Sequence, residues 1–326
     1  MIRYVLILAV IAGAIAFPHL LTSNYFIHLA ILAMIWMIVA QGANVIQGYT
    51  GYVSIAQAGF MGIGAYSSAL LSIEAGFPVW IAILVSPFFT AVASLIAGYP
   101  SLRVKGHYFA IVTLAMNMVI FIVLVNWIPV TGGESGLPGI PAPEPIVIGD
   151  FELNFLRRNT YYYLVLAALA LVMLLVVAVV RSRVGLVLQA IRQNETLAEA
   201  AGVACWRYKL FSFVFSASLA GFAGALYAHY QAFISPAPFS VDHSLNAILA
   251  VILGGSGTLF GPLVGAALTV ALPEVLRVAE TYRLIIYGVG LVIVVIFLPR
   301  GLYPWLADLS RGLFGRKDGN GAEAHR

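Results

Sequence analysis

Apolar residues in this chain run in long blocks, and charged residues are confined to the gaps between them. Seven stretches hold no Asp, Glu, Lys or Arg: Tyr4 to Ile73, Ala75 to Leu102, Gly106 to Gly133, Asn159 to Val180, Leu210 to Val241, His243 to Pro273 and Leu284 to Pro299. A helix that crosses a bilayer needs about 20 mostly apolar residues. Less their connections, the blocks predict about ten transmembrane segments, near 4–21, 25–46, 55–73, 79–98, 107–128, 161–180, 210–231, 244–253, 259–276 and 284–298. A membrane β-barrel is disfavoured, because its strands alternate apolar and polar positions and runs such as Tyr162 to Val180 do not. The expected fold class is all-α: a polytopic helical membrane protein with broken Gly-rich helices.

The gaps between blocks suggest an orientation. With the N-terminus inside, 13 of the 17 Lys and Arg fall on inner connections and ends, and only Arg157, Arg158, Arg277 and Arg283 lie outside. That asymmetry follows the positive-inside rule and places both termini in the cytoplasm. Arg3, the apolar stretch after it and Ala14-Ile15-Ala16 also suit a cleavable signal peptide; a retained first helix is the reading adopted, and the orientation is the same either way. Segment 244–253 is too short to cross alone, yet without it the basic tail would change sides. Residues 1–300 thus read as one transmembrane domain with a Gly/Pro-rich outer loop at 129–160, either functional or a loose linker, and a charged cytoplasmic loop at 181–209. Residues 301–326 read as a polar, disordered tail.

Composition agrees: 62% of residues are apolar and 9% charged, where soluble domains carry about 25% charged. The net charge of +4 is explained by topology, without nucleic acid as a partner. The single cysteine, Cys205, cannot close an internal disulfide. No phosphate-binding loop, His-Glu-x-x-His or Gly-x-Ser-x-Gly occurs, and the six histidines lack metal-ligand spacing. The chain therefore reads as a non-enzyme with no catalytic or metal residues. No acid falls mid-membrane, Glu274 at a helix end being the nearest case, which disfavours a proton relay.

Two segments break the apolar blocks with glycine. The first carries Gly48, Gly51, Ser54, Gln57, Gly59, Gly62 and Gly64, and the second Gly254, Gly255, Gly257, Thr258 and Gly261. Paired Gly-interrupted segments in two halves point to a translocation pathway; close helix packing through small residues, such as Gly261 with Gly265, is the alternative. In the cytoplasmic loop Asn194 suits an N-cap, Glu195 a first turn and Gly202 a left-handed C′ position, predicting a helix of about two turns outside the membrane. Thr196-Leu197-Ala198-Glu199 also matches a capping box, which would shift the start by two residues. Glu195 and Glu199, four apart, are expected on one face for a soluble partner to grip, a solvated turn being the alternative.

These segments resemble the permease subunits of ATP-binding-cassette importers for branched-chain amino acids, in particular the LivM-type family. The resemblance rests on Ser54 to Tyr66, Leu102 to Leu114, Thr131-Gly132-Gly133 with Gly136-Leu137, Ser182-Arg183-Val184-Gly185 through Gly202, Lys209 to Tyr227, Gly254 to Gly265 and Leu298-Pro299-Arg300-Gly301-Leu302. Ser54-Ile55-Ala56-Gln57 departs from the family's usual Leu-Gly after the serine, and His107 stands where proline is frequent. The resemblance implies a permease in the bacterial inner membrane that pairs with a LivH-type subunit. Two ABC ATPase subunits would bind ATP and Mg, so this chain needs no cofactor, a periplasmic or lipid-anchored binding protein would deliver substrate, and membrane lipid would surround the chain. It also makes Arg192, Asn194, Glu195, Glu199, Ala200, Ala201 and Gly202 the ATPase-coupling loop, with Glu199-Ala200-Ala201-Gly202 as its signature. Alternatives are a related permease for urea, short amides or another small polar solute, an ion-coupled secondary transporter using Asn44, Gln57 and Asn117, and a membrane scaffold.

Overall fold

A computed structural model describes residues 23–276 except Lys105, Gly149 and Asp150, with further positions at 13, 15–19, 288–289, 292, 296–298, 301–306 and 308. The spans expected near 4–21 and 284–298 lie largely outside the described residues, as does the tail beyond Asp308. Helix α1, Asn24–Asn44, continues as a π-turn, Val45–Tyr49; after it come α2, Gln57–Ile73, α3, Val79–Ser101, and α4, His107–Asn126. A single turn, α5, Ile128–Thr131, leads into the long loop, and α6, Arg158–Arg181, returns. At the charged end lie α7, Arg183–Gln193, and α8, Glu195–Ala200, followed by α9, Cys205–Gln231, α10, Val241–Gly254, and α11, Gly261–Val275. Among the described residues five helices are long and apolar enough to cross a bilayer: α1 with its π-turn, α3, α4, α6 and α9. Helices α10 and α11 are apolar but shorter.

Burial separates centre from periphery. Most of α1 and α9 is enclosed, whereas α3, α4 and α6 turn residues such as Leu84, Ile96, Ile111 and Leu174 outward. Lipid is as apolar as leucine, so nothing drives these faces inward. Helix α9 packs on α1, α2 and α3, and small residues let it: a Cβ on Gly64 would fall on the Gly221 backbone, one on Gly224 on the Met61 carbonyl, and one on Gly42 within 2.7 Å of the Ser216 oxygen. Helices α10 and α11 meet in the same way, Gly265 on Ala250 and Gly254 on Gly261. Within α3, Pro87 cannot bond the Ile83 carbonyl, and Ser86 Oγ donates to that oxygen at 3.2 Å instead.

The long loop is pinned rather than loose. Strand β1, Leu137–Pro138, pairs antiparallel with β4, Phe233–Ile234, while β2, Ile146–Ile148, pairs with β3, Phe151–Leu153. Ile140 N donates to the Ala232 carbonyl at 3.1 Å, the Pro141 carbonyl lies 2.7 Å from His229 Nδ1, and Val79 N donates to Glu144 Oε1 at 2.9 Å. His229 also meets Ser68 Oγ at 2.8 Å, a buried hydrogen-bonded histidine.

The charged end departs from expectation. The segment read as one short helix in a loop holds two helices, and α9 starts at Cys205, about one turn earlier than predicted. Ser182 caps α7 by accepting from Val184 N at 3.2 Å, and Gly185, Leu188 and Ile191, three apart, form its buried stripe. Asn194 caps α8 through Leu197 N at 3.0 Å, so the capping-box alternative is not used. Gly202 follows with φ +86, the left-handed residue expected there. Where a tail is expected, Gly301 rests on the Gly255 backbone and residues 302–306 are helical.

Two substitutions test this packing. Gly224→Leu drives a side chain into the Met61 carbonyl and is expected to abolish a monodisperse detergent-extracted peak in size-exclusion chromatography. Ala232, left-handed at φ 54 after α9, is strained by about 1 kcal/mol; Ala232→Gly is expected to raise the thermal unfolding midpoint by a few degrees.

Candidate translocation and coupling site

Asn44, at the end of α1, joins the two glycine-rich segments. Its Nδ2 donates to the Thr258 carbonyl at 2.9 Å, and its Oδ1 accepts from Gly257 N at 2.9 Å. Gln41, one turn earlier, donates to the Leu259 carbonyl at 2.7 Å. The backbone between α10 and α11 is irregular, with Gly255 at φ +116 and Gly257 at φ +76. Such backbone inside a membrane protein needs partners supplied by protein or water, and Asn44 and Gln41 supply three. Gly48 is a glycine because Asn44 and the Gly257 backbone occupy the place of its Cβ. Thr258 Oγ1 accepts from Gly261 N at 3.1 Å, starting α11.

Arg192 reaches this junction from α7. It donates to the Gly48 carbonyl, its stem lies against Gly51, and its guanidinium stands where a Gly257 side chain would be. The structure thus brings together Gly48, Gly51, Gly254, Gly255, Gly257, Thr258, Gly261 and Arg192.

The remaining pathway candidates run along α2. Its first free N–H groups are met by side chains of other helices: Ala58 N donates to Ser244 Oγ at 2.8 Å and Gly59 N to Asn117 Oδ1 at 2.6 Å. Ser244 Oγ in turn donates to Asn117 Oδ1 at 3.1 Å, and Gln57 Nε2 donates to Ser216 Oγ at 2.9 Å. Gly62 faces Phe239 and Gly64 faces Gly221. These glycines therefore meet protein, and the apolar groove of about 450 Å³ between α2, α3 and α4 borders Phe60 and Ile63 instead. Among the described residues Gln41 Oε1, Gln47 Oε1, Gln57 Oε1, Ser54 Oγ and the Tyr66 hydroxyl are buried without a hydrogen-bond partner. Such groups are costly in an apolar surrounding, and the first four flank the connection between α1 and α2.

Glu195 does not share an outward face with Glu199, contrary to expectation. It turns inward: Lys209 Nζ stands 2.7 Å from Glu195 Oε1, and the Tyr52 hydroxyl donates to Oε2. The reason is charge. Lys209 lies one turn into α9 with its side chain 4% exposed, and a buried ammonium requires a carboxylate. Burial and the Glu195 carboxylate both raise the Tyr52 phenol above its ordinary value, so it remains a donor. Glu199, Ala200 and Ala201 stay exposed. Sequence reasoning missed Tyr52, Lys209 and Ser244; the signal for Lys209 was a cation directly before a long apolar run.

A family profile described as the branched-chain amino acid transport system permease component matches residues 25–295. The high-affinity branched-chain amino acid transport system permease protein LivM of Escherichia coli (strain K12) is 32% identical, covering 91% of this chain and 74% of that protein. The probable LivM permease of Methanocaldococcus jannaschii is 25% identical over 69% of this chain and 68% of its own. LivH of Escherichia coli (strain K12) is 24% identical over 83% of this chain and 92% of its own. No solved structure matches. A multi-pass helical membrane protein with this family match across most of its length belongs to the branched-chain amino acid transport permease family.

Proposed function

We propose that the chain is the LivM-type permease subunit of an ATP-driven importer, forming with a LivH-type permease the passage for leucine-, isoleucine- and valine-like amino acids. Similarity to both LivM and LivH relatives supports a paired permease. The observation that carries the reading is the junction of the two broken segments at Asn44, flanked by the buried unpaired atoms of Gln41, Gln47, Ser54 and Gln57. Neutral polar groups of this kind suit a zwitterion, whose ammonium and carboxylate they can hydrate in turn without a fixed charge that would hold it. In this reading the passage opens between the two permeases, and the packed glycines mark where helices slide.

Energy would come from two partner ATPases that bind ATP and Mg, docked on α7 and α8, with substrate delivered by a binding protein on the opposite face. The excess of Lys and Arg at the charged end supports a cytoplasmic position for that end and for both termini. Leu186 and Leu197 stand 66% and 68% exposed on α7 and α8, outside the apolar spans. Exposed leucines beside Glu199 give the docking surface an apolar centre and a charged edge, the usual anatomy of a protein interface.

The purified chain is expected to hydrolyse no ATP, and the complex with its ATPases and companion permease to take up leucine only when ATP and the binding protein are present. Proteoliposome uptake with urea and short amides as competitors checks the substrate class; transport of those solutes in place of leucine overturns it. Leu197→Asp is expected to remove about 2 kcal/mol of docking energy, roughly thirtyfold in affinity, measured as ATPase retained on the tagged permease. Undiminished retention places the docking surface elsewhere.

A further inference from the structure

The charged end touches the glycine junction at two points. At one, Arg192 donates to the Gly48 carbonyl. At the other, Glu195 is held by Lys209 at 2.7 Å and by the Tyr52 hydroxyl, which itself lies 3.3 Å from Lys209 Nζ. The Lys209 ammonium also stands 4.8 Å from the centre of the Tyr52 ring, and that ring packs edge-on against Phe109 at 5.4 Å. Both points of contact fall within five residues of the α1–α2 connection, Gly48 and Tyr52, and both are held from adjoining helices, α7 and α8.

The chain around these points leaves the regular α-helix. Val45–Tyr49 is a π-turn, a form that occurs as a single turn within α-helices, frequently at functional sites. Gly51 is left-handed at φ +83, and residues 51–54 lie in no helix. On either side, α1 and α2 are buried among α9, α10 and α11. A displacement of α7 and α8 would therefore reach the non-helical stretch that ends in Ser54 and the start of α2. Arg192 carries the same displacement to Gly257, which it overlies.

Stability does not account for the chemistry used. A buried ion pair is commonly no more stable than an apolar pair of the same volume, whereas losing one partner is severe. An ion pair with a tyrosine across it instead fixes direction and distance, as a mechanical joint must. Resting on the importer reading above, we propose that Tyr52, Glu195 and Lys209, together with Arg192 on Gly48, are the positioning residues that transmit ATPase motion to the translocation segment.

The test uses two variants and two readouts. Tyr52→Phe keeps the ring on Phe109 and removes only the hydroxyl; the paired change Glu195→Gln with Lys209→Met removes both charges together, so that neither is left buried alone. In the reconstituted complex both are expected to retain bound ATPase and ATP hydrolysis, while leucine taken up per ATP falls about tenfold, the effect of one hydrogen bond to a charged group. In the chain alone in lipid nanodiscs, amide hydrogen exchange is expected to quicken both in α8 and in residues 46–54. Unchanged uptake per ATP in both variants overturns the proposal. So does a loss of uptake in proportion to lost ATPase, which marks a docking role, or faster exchange confined to α8. If the unaltered complex takes up no leucine, the importer reading fails, and the exchange measurement alone decides whether the two regions are joined.

Discussion

The Asn44 carboxamide closes a gap that the bilayer would otherwise leave open. It satisfies one donor and one acceptor of the irregular chain between α10 and α11, 213 and 214 residues away. Where water is scarce, an orphaned backbone group costs about 1–3 kcal/mol, so these two bonds let a non-helical stretch exist among helices at all. With that stretch in place, Gly254 and Gly265 can pack on α11 and α10, Gly48 can lie against Gly257, and Arg192 can reach across both.

The rest of the bundle shows how the two solvents divide the labour. Toward lipid, α3, α4 and α6 present bulky apolar residues that no packing demands. Toward one another, the central helices present glycine, alanine and serine, because close backbone contact is what drives association when the surroundings are themselves apolar. Helix α9 is the extreme case: Ser216, Ala217, Ala220, Gly221 and Gly224 leave room for α1, α2 and α3 on three sides. Several polar side chains stand where backbone needs them, Ser244 and Asn117 on the first amides of α2, Ser86 beside Pro87.

The charged end obeys another rule. Its helices lie where water can reach, so they take caps from Ser182 and Asn194 and expose Leu186 and Leu197. Their ties to the core are nonetheless ionic and buried, through Lys209 and Glu195. A polar joint of this sort sets geometry more than stability.

Much of this was legible in the chain itself. Block length against bilayer thickness located the five long spans among the described residues, and the local chemistry of Asn194 and Gly202 predicted the ends of α8, because both depend on residues within a turn of one another. Helix α7 was legible too, in Ser182 and the spacing of Gly185, Leu188 and Ile191, but the charges around it masked the stripe. What no local pattern contained was partnership. Spacing put Glu195 and Glu199 on one outward face, and only the fold, by burying Lys209 beside α8, turned Glu195 inward. Two glycine-rich segments were visible as texture; their meeting through Asn44 was not, since a carboxamide has the same appearance in sequence whether it faces lipid, water or a backbone more than 200 residues distant. Composition and period are sums over neighbours in the chain, while desolvation and hydrogen bonding are settled by neighbours in space.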